Sequence, residues 1–232
     1  MALAMNEPAG VTPGNEDIAD RIASQFQSRF LRHYTRSKLR TDPLYRAVAE
    51  RLFDTTLPLV DVGCGVGLMA FYLRESGFDA PITGIDHDAR KVAAAQRLAA
   101  RYSGLAFVRG DARELPAIAA SYLLLDVLHY FDDVEQARIL DHVARSVPPG
   151  GMVIVREGID DGSWRYRATW AMEKVARGIR WLQADRLNFP RRENLIAAFP
   201  SFSAEVLPLW GSTPFNNYLF VFRRPGSGTT KE

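Results

Sequence analysis

The stretch Leu59-Val60-Asp61-Val62-Gly63-Cys64-Gly65-Val66-Gly67-Leu68-Met69-Ala70 constrains this chain more than any other. Apolar residues run into an acid and three alternate glycines, and an apolar helical pattern opens at Leu68. That is a buried strand, a tight turn and a helix start, the unit from which α/β proteins build a binding crevice. Glycine allows backbone to approach a ligand closely and to take positive φ without steric cost.

The segments around this unit keep its rhythm. Ile18, Ile22, Phe26 and Phe30 recur every four residues and predict an amphipathic helix. Asp42-Pro43 reads as a cap and first helical residue of a second helix, running to about Phe53. Strands are then expected at 58–62, 81–86, 105–108, 122–126 and 152–156. Helices are expected from Leu68 to Glu75, from the cap Asp88 to Tyr102, and from the cap Asp132 to the Pro148-Pro149-Gly150-Gly151 turn. Alternation of this kind predicts a doubly wound α/β fold with a mostly parallel sheet. The end differs, with helical patterns at about 163–183 and 191–198 and then strands at 203–209 and 217–223. Two strands without a helix between them pair antiparallel.

A chain of 232 residues fits one such domain. We expect a flexible tail at 1–15 and a single domain over 16–224, followed by a second tail at 225–232. Within the domain, 16–56 forms a helical cap, 57–157 the ligand-binding core, 158–190 a helical lid, and 191–224 the last helix and hairpin. The formal charge of +2 demands neither nucleic acid nor membrane as partner. The single cysteine, Cys64, excludes an internal disulfide and a cysteine-based metal site. Met1 to Asn6 show no basic stretch and no signal-length apolar run, and no window suits a membrane span, so a cytoplasmic protein is expected.

Gly-x-Gly-x-Gly behind Asp61 resembles motif I of class I S-adenosylmethionine (SAM) methyltransferases of the small-molecule group, and three later segments strengthen the likeness. Asp86, in Thr83-Gly84-Ile85-Asp86-His87-Asp88, lies 19 residues after Gly67, where a strand-end acid can accept from a ribose diol. Val108-Arg109-Gly110-Asp111-Ala112 and Leu124-Leu125-Asp126-Val127-Leu128-His129-Tyr130-Phe131 resemble the next two motifs in order. The likeness spans about 59–157. It implies a seven-stranded sheet ending in an antiparallel hairpin, with the N-terminal helices and an insertion after the fifth strand as a cap. It also implies SAM as cofactor and S-adenosylhomocysteine (SAH) as product. Asp61 would hold the methionine ammonium, and Gly63, Cys64, Gly65 and Gly67 would pass beneath the cofactor. Asp86 would take the ribose, His87 would flank the adenine, and Asp111 and Ala112 would bind its edge. Leu125 and Asp126 would face the methionine end. No metal is implied.

Rival readings fare worse. Gly65-x-Gly67-x-x-Ala70 can be laid on the dinucleotide fingerprint, but Asp111 and the terminal hairpin then go unexplained. No Gly-Lys-Ser/Thr comes after the turn, which excludes a P-loop. The prolines that base-modifying amino-methyltransferases carry after the fourth strand are missing from Asp126-Val127-Leu128-His129. RNA or protein methylation, and a non-catalytic SAM-fold subunit, remain the alternative classes.

The expected acceptor is a small molecule, free or carried on an acyl carrier protein and methylated on a phenol, hydroxyl or carboxylate oxygen. His129, just past the fourth strand, is the candidate base for a phenol or alcohol. The acceptor pocket is expected from two basic segments. Segment 21–40 holds Arg21, Arg29, Arg32, Tyr34, Arg36, Lys38 and Arg40. Segment 163–181 interleaves Trp164, Tyr166, Trp170 and Trp181 with Arg165, Arg167, Lys174, Arg177 and Arg180. Tyr34, His129, Tyr130, Arg165, Tyr166 and Trp170 are the candidate contacts. Aromatics with arginines suit a flat anionic ligand.

Overall fold

A computed structural model describes residues 15–159, 162–168, 171, 187–210 and 216–226. Trp170, Trp181, Lys174, Arg177, Arg180 and most of both expected tails lie outside the described residues. Seven strands form one sheet: β1 (Leu59–Val62), β2 (Ile82–Asp86), β3 (Leu105–Arg109), β4 (Ser121–Leu125), β5 (Met152–Gly158), β6 (Ser203–Pro208) and β7 (Asn217–Arg223). Their order is β3-β2-β1-β4-β5-β7-β6. β1 to β5 pair in parallel, and β7 inserts antiparallel between β5 and β6. The mostly parallel, hairpin-ended α/β sheet expected from the sequence is the one that forms.

Alternate strand residues face opposite sides, so each strand feeds two cores. Leu59, Leu123 and Ile154 pack under α1 (Asn15–Gln25), α2 (Arg29–Thr41), α3 (Leu44–Leu52), α4 (Leu68–Glu75) and α5 (Ala89–Ala99). Val60, Leu124 and Val155 pack under α6 (Asp133–Ser146) and α7 (Arg192–Ala197). The chain runs outward from β1 through β2 to β3, then returns to β4 on β1's other side. Strand order reverses there, and a crevice opens at the strands' carboxyl ends.

One helix departs from its expected course. The four-residue apolar repeat ends at Phe26, and Phe30 is exposed. Ser28 starts a new helix, its hydroxyl accepting from Leu31 N at 3.4 Å. α2 buries only Thr35 and Leu39, too few apolar positions to show as a stripe. The caps Asp88 and Asp132 stand at their expected positions, whereas α3 starts at Leu44 with Pro43 as its cap residue, one position later than expected. Asp88 accepts from Arg90 N, Asp132 and Glu135 form a reciprocal capping box, and Asp42 accepts from Leu44 N.

Candidate active site

The glycine turn between β1 and α4 is held by its own backbone. Gly63 N and Cys64 N donate to Ile85 O, and Gly67 N donates to Cys64 O. All three glycines have positive φ, at +74°, +57° and +81°. Their reasons differ. A Cβ on Gly63 would lie 2.7 Å from Val127 Cγ2, and one on Gly67 would lie 2.7 Å from the Phe107 ring. Nothing lies within 4 Å of a Cβ on Gly65, which opens onto a cavity of about 730 Å³. Gly67 starts α4 and is not on the cavity wall among the described residues, contrary to its expected place under a cofactor.

Asp61 lies in β1 on that wall, 3% exposed, and accepts no hydrogen bond among the described residues. Burial, then the neighbouring Asp86, pushes its carboxyl up to about 7. Asp86 ends β2 and is engaged on both oxygens, Oδ2 by Gly65 N at 2.8 Å and Oδ1 by Asp88 N at 2.8 Å. Its carboxylate therefore braces the glycine turn, a task the sequence did not reveal. His87 lies beside it on the wall, Nδ1 3.6 Å from Asp86 Oδ1. Burial, then Asp61 and Asp86, drives the Cys64 thiol far up, so it stays protonated.

Asp111 and Ala112 line the same cavity. Arg113 donates to Asp111 Oδ1 from its backbone N and Nε, and to Oδ2 from Nη2, which holds the carboxyl below its usual range. At and beyond the end of β4, Leu125, Asp126 and Tyr130 also reach the wall. Asp126 is the one non-glycine with positive φ among the described residues, at +58°. Asp tolerates this region better than most residues. Two bonds to Arg156 secure it: Asp126 N donates to Arg156 O at 2.9 Å, and Asp126 Oδ2 accepts from Arg156 Nη1 at 2.7 Å.

His129 departs from its expected role. It is 3% exposed and does not line the cavity among the described residues. Its Nδ1 lies 2.7 Å from Oε2 of the buried Glu157, and its ring packs on Tyr130 and Phe189. The short 3₁₀ turn at Leu128–Tyr130 aims Tyr130 at the cavity and turns His129 into the interior.

The N-terminal helices close the other side with Tyr34 and Lys38 from α2 and Leu44 and Tyr45 from α3. Lys38 Nζ pairs with Asp42 Oδ2 at 2.9 Å, and Arg156 Nη1 meets the same oxygen at 2.9 Å. Burial alone would raise Asp42; Arg156 and Lys38 outweigh it and leave the carboxyl below its usual range. Burial would likewise lower Lys38, but Asp42 holds it above its ordinary value. The rest of the basic segment looks elsewhere, with Arg21 paired to Glu75 and both Arg36 and Arg40 to Asp20. Arg165 stacks over Trp164 and Trp210, and Tyr166 meets Phe189 edge-on. Neither is on the wall among the described residues.

Charge on the wall is lopsided. Asp61, Asp86, Asp88, Asp111, Asp126, Asp132 and Glu135 face Lys38, Lys91 and Arg113. Sequence reasoning missed the roles of Lys38, Asp42, Arg156 and Glu157. The available signal was Arg156-Glu157 itself, two charges at the carboxyl end of an otherwise apolar strand.

Residues 59–151 match a family model described as a methyltransferase domain. No curated protein matches the chain. Among solved structures, magnesium protoporphyrin IX methyltransferase from Synechocystis PCC 6803 with bound SAH is 20% identical. That likeness covers 90% of this chain and 93% of the other, with a TM-score of 0.63. The N-methyltransferase NodS from Bradyrhizobium japonicum WM9, in complex with SAH, is 17% identical, with 91% and 98% covered and a TM-score of 0.58. The [4+2]-cyclase SpnF is 20% identical, with 80% and 82% covered and a TM-score of 0.62. At these identities the likeness is one of fold, and the fold serves more than one chemistry.

Proposed function

We propose that this chain is a class I SAM-dependent methyltransferase that methylates an oxygen of a small molecule, free or carried on an acyl carrier protein; the matched methyltransferase domain and the fold support the reading. Asp61 carries the reading. A buried carboxylate on a cavity wall with no donor of its own calls for a cationic donor from a ligand, and the ammonium of methionine is one. Gly65 leaves open the space that a side chain would fill. Each Asp86 oxygen gives one lone pair to a backbone amide and keeps another for a ribose hydroxyl. Asp111 Oδ2 keeps one lone pair beside Arg113 for an exocyclic amine.

When bound, SAM supplies a methyl already activated by its sulfonium, so the protein's work is alignment and exclusion of water. Tyr34, Lys38, Tyr45 and Tyr130 form the wall nearest the helical cap and the β4 loop, and we assign the acceptor to that side. Burial raises Tyr34 and Tyr45, and Asp42 keeps Lys38 charged, so none of these three takes a proton near neutral pH. His129 is turned toward Glu157. A carboxylate acceptor is ionised already and needs no base, and Lys38 offers it a cation. These points favour a carboxylate over an alcohol or phenol.

Calorimetric titration with SAH tests the cofactor site. The wild type should bind, and Gly65→Ala should weaken binding at least tenfold while remaining folded, because the new methyl enters the ligand's space. Gly67→Ala should chiefly lose stability, because its methyl meets Phe107. A wild-type protein that takes up no SAH overturns the reading.

A further inference from the structure

Consecutive residues of β5 grip the loop after β4 from opposite sides. Arg156 reaches Asp126 and, through Asp42, the helical cap. Glu157, fully buried, turns the other way. Its Oε1 accepts from Val127 N at 2.8 Å and Leu128 N at 2.6 Å, and its Oε2 meets His129 Nδ1 at 2.7 Å. Val127 is the residue against which Gly63 packs, with no room for a side chain between them. The two halves of the cavity floor, the glycine turn and the β4 loop, therefore touch at Val127, and Glu157 fixes where Val127 sits.

We propose that Glu157 is the positioning residue of the cofactor site: it sets the β4 loop against the glycine turn and fixes His129 with its proton on Nδ1. The inference rests on the cofactor reading above. A carboxylate accepts only, so the nitrogen facing it carries the hydrogen. His129 then joins Glu157 to the loop as a third strut, which accounts for a buried histidine at a position the sequence suggested for a base. The loop's carbonyls have separate supports. Gln136 Nε2 donates to Leu128 O, and Asn188 N donates to His129 O. Losing Glu157 should therefore displace the loop rather than unfold it.

Glu157→Ala and Glu157→Gln separate the contacts. In the alanine variant all three struts go. In the glutamine variant Oε1 can still accept both backbone amides, but the amide nitrogen now donates to His129 Nδ1 and moves the ring proton to Nε2. SAH titration should show at least tenfold weaker binding for Glu157→Ala and a smaller loss for Glu157→Gln. Histidine 15N spectra should show the His129 tautomer inverted in the glutamine variant. Ile18→Ala, in α1 and in the core on the other side of the sheet from Val127 and Leu128, serves as a destabilised control that keeps wild-type affinity. Should Glu157→Ala not fold, Glu157→Asp, whose carboxylate is withdrawn from the loop, takes its place in the titration. Wild-type affinity in a folded Ala or Asp variant, or an unchanged His129 tautomer in Glu157→Gln, overturns the proposal. Absence of SAH binding by the wild type would instead remove the cofactor reading, and the tautomer measurement would still decide whether Glu157 fixes His129.

Discussion

At the scale of single residues, Asp61 is held at odds with its own folding. Its proton is retained in the folded protein up to about pH 7, while the unfolded chain releases it near 3.8. Between those values folding takes up a proton, so stability falls as pH rises through the window and the loss is complete above about 7. A shift of that size corresponds to about 4 kcal/mol as an upper bound. Asp61→Asn, which resembles the protonated acid, should raise the melting temperature by several degrees at pH 8 and change little at pH 4. The same variant should lose SAH affinity. A melting temperature that fell at pH 8 would show that Asp61 is stabilised by a partner and is not waiting for one.

At the scale of elements, the cap helices and the β4 loop are joined through one guanidinium. Arg156 is nearly buried between Asp42, at the α2–α3 junction, and Asp126, in the left-handed turn. Arg156→Met would leave two acids facing each other around Lys38, and breaking a buried pair in this way costs about 3–5 kcal/mol. Urea unfolding should show a loss in that range, and Asp126→Asn in the same background should recover part of it, because Asp42 keeps Lys38 as its partner. A loss below about 1 kcal/mol would mean that the network is solvated, like an ordinary surface pair. None of this coupling is legible along the chain, because Asp42 and Arg156 are 114 residues apart. Runs with one dominant local signal are legible: the β1 run into Gly63, the cap at Asp132, the acid ending β2. α2 is not, because its helix rests on the Ser28 cap and two buried residues and not on an apolar stripe. Glu157 escapes for another reason. Inside a buried strand, sequence shows a charge but not the three donors that satisfy it.

At the scale of the whole molecule, the strand order brings acids from β1, β2, the β3 exit and the β4 exit to one crevice, although the chain as a whole carries a formal charge of +2. Under the proposed function, the surplus of carboxylates on that wall should favour the methyl donor over the spent product. SAM carries a sulfonium and SAH a neutral thioether, so an acidic wall would attract the donor more than the product. Ligand discrimination should therefore fall with salt. The ratio of SAH to SAM dissociation constants should exceed one at low ionic strength and shrink severalfold toward about 0.5 M salt, with SAM affinity changing and SAH affinity nearly constant. Equal salt slopes for the two ligands would deny the wall this part. If SAM is the cofactor, as proposed, the charge lost in methyl transfer is part of what the wall favours, so accumulated product should compete weakly with fresh donor.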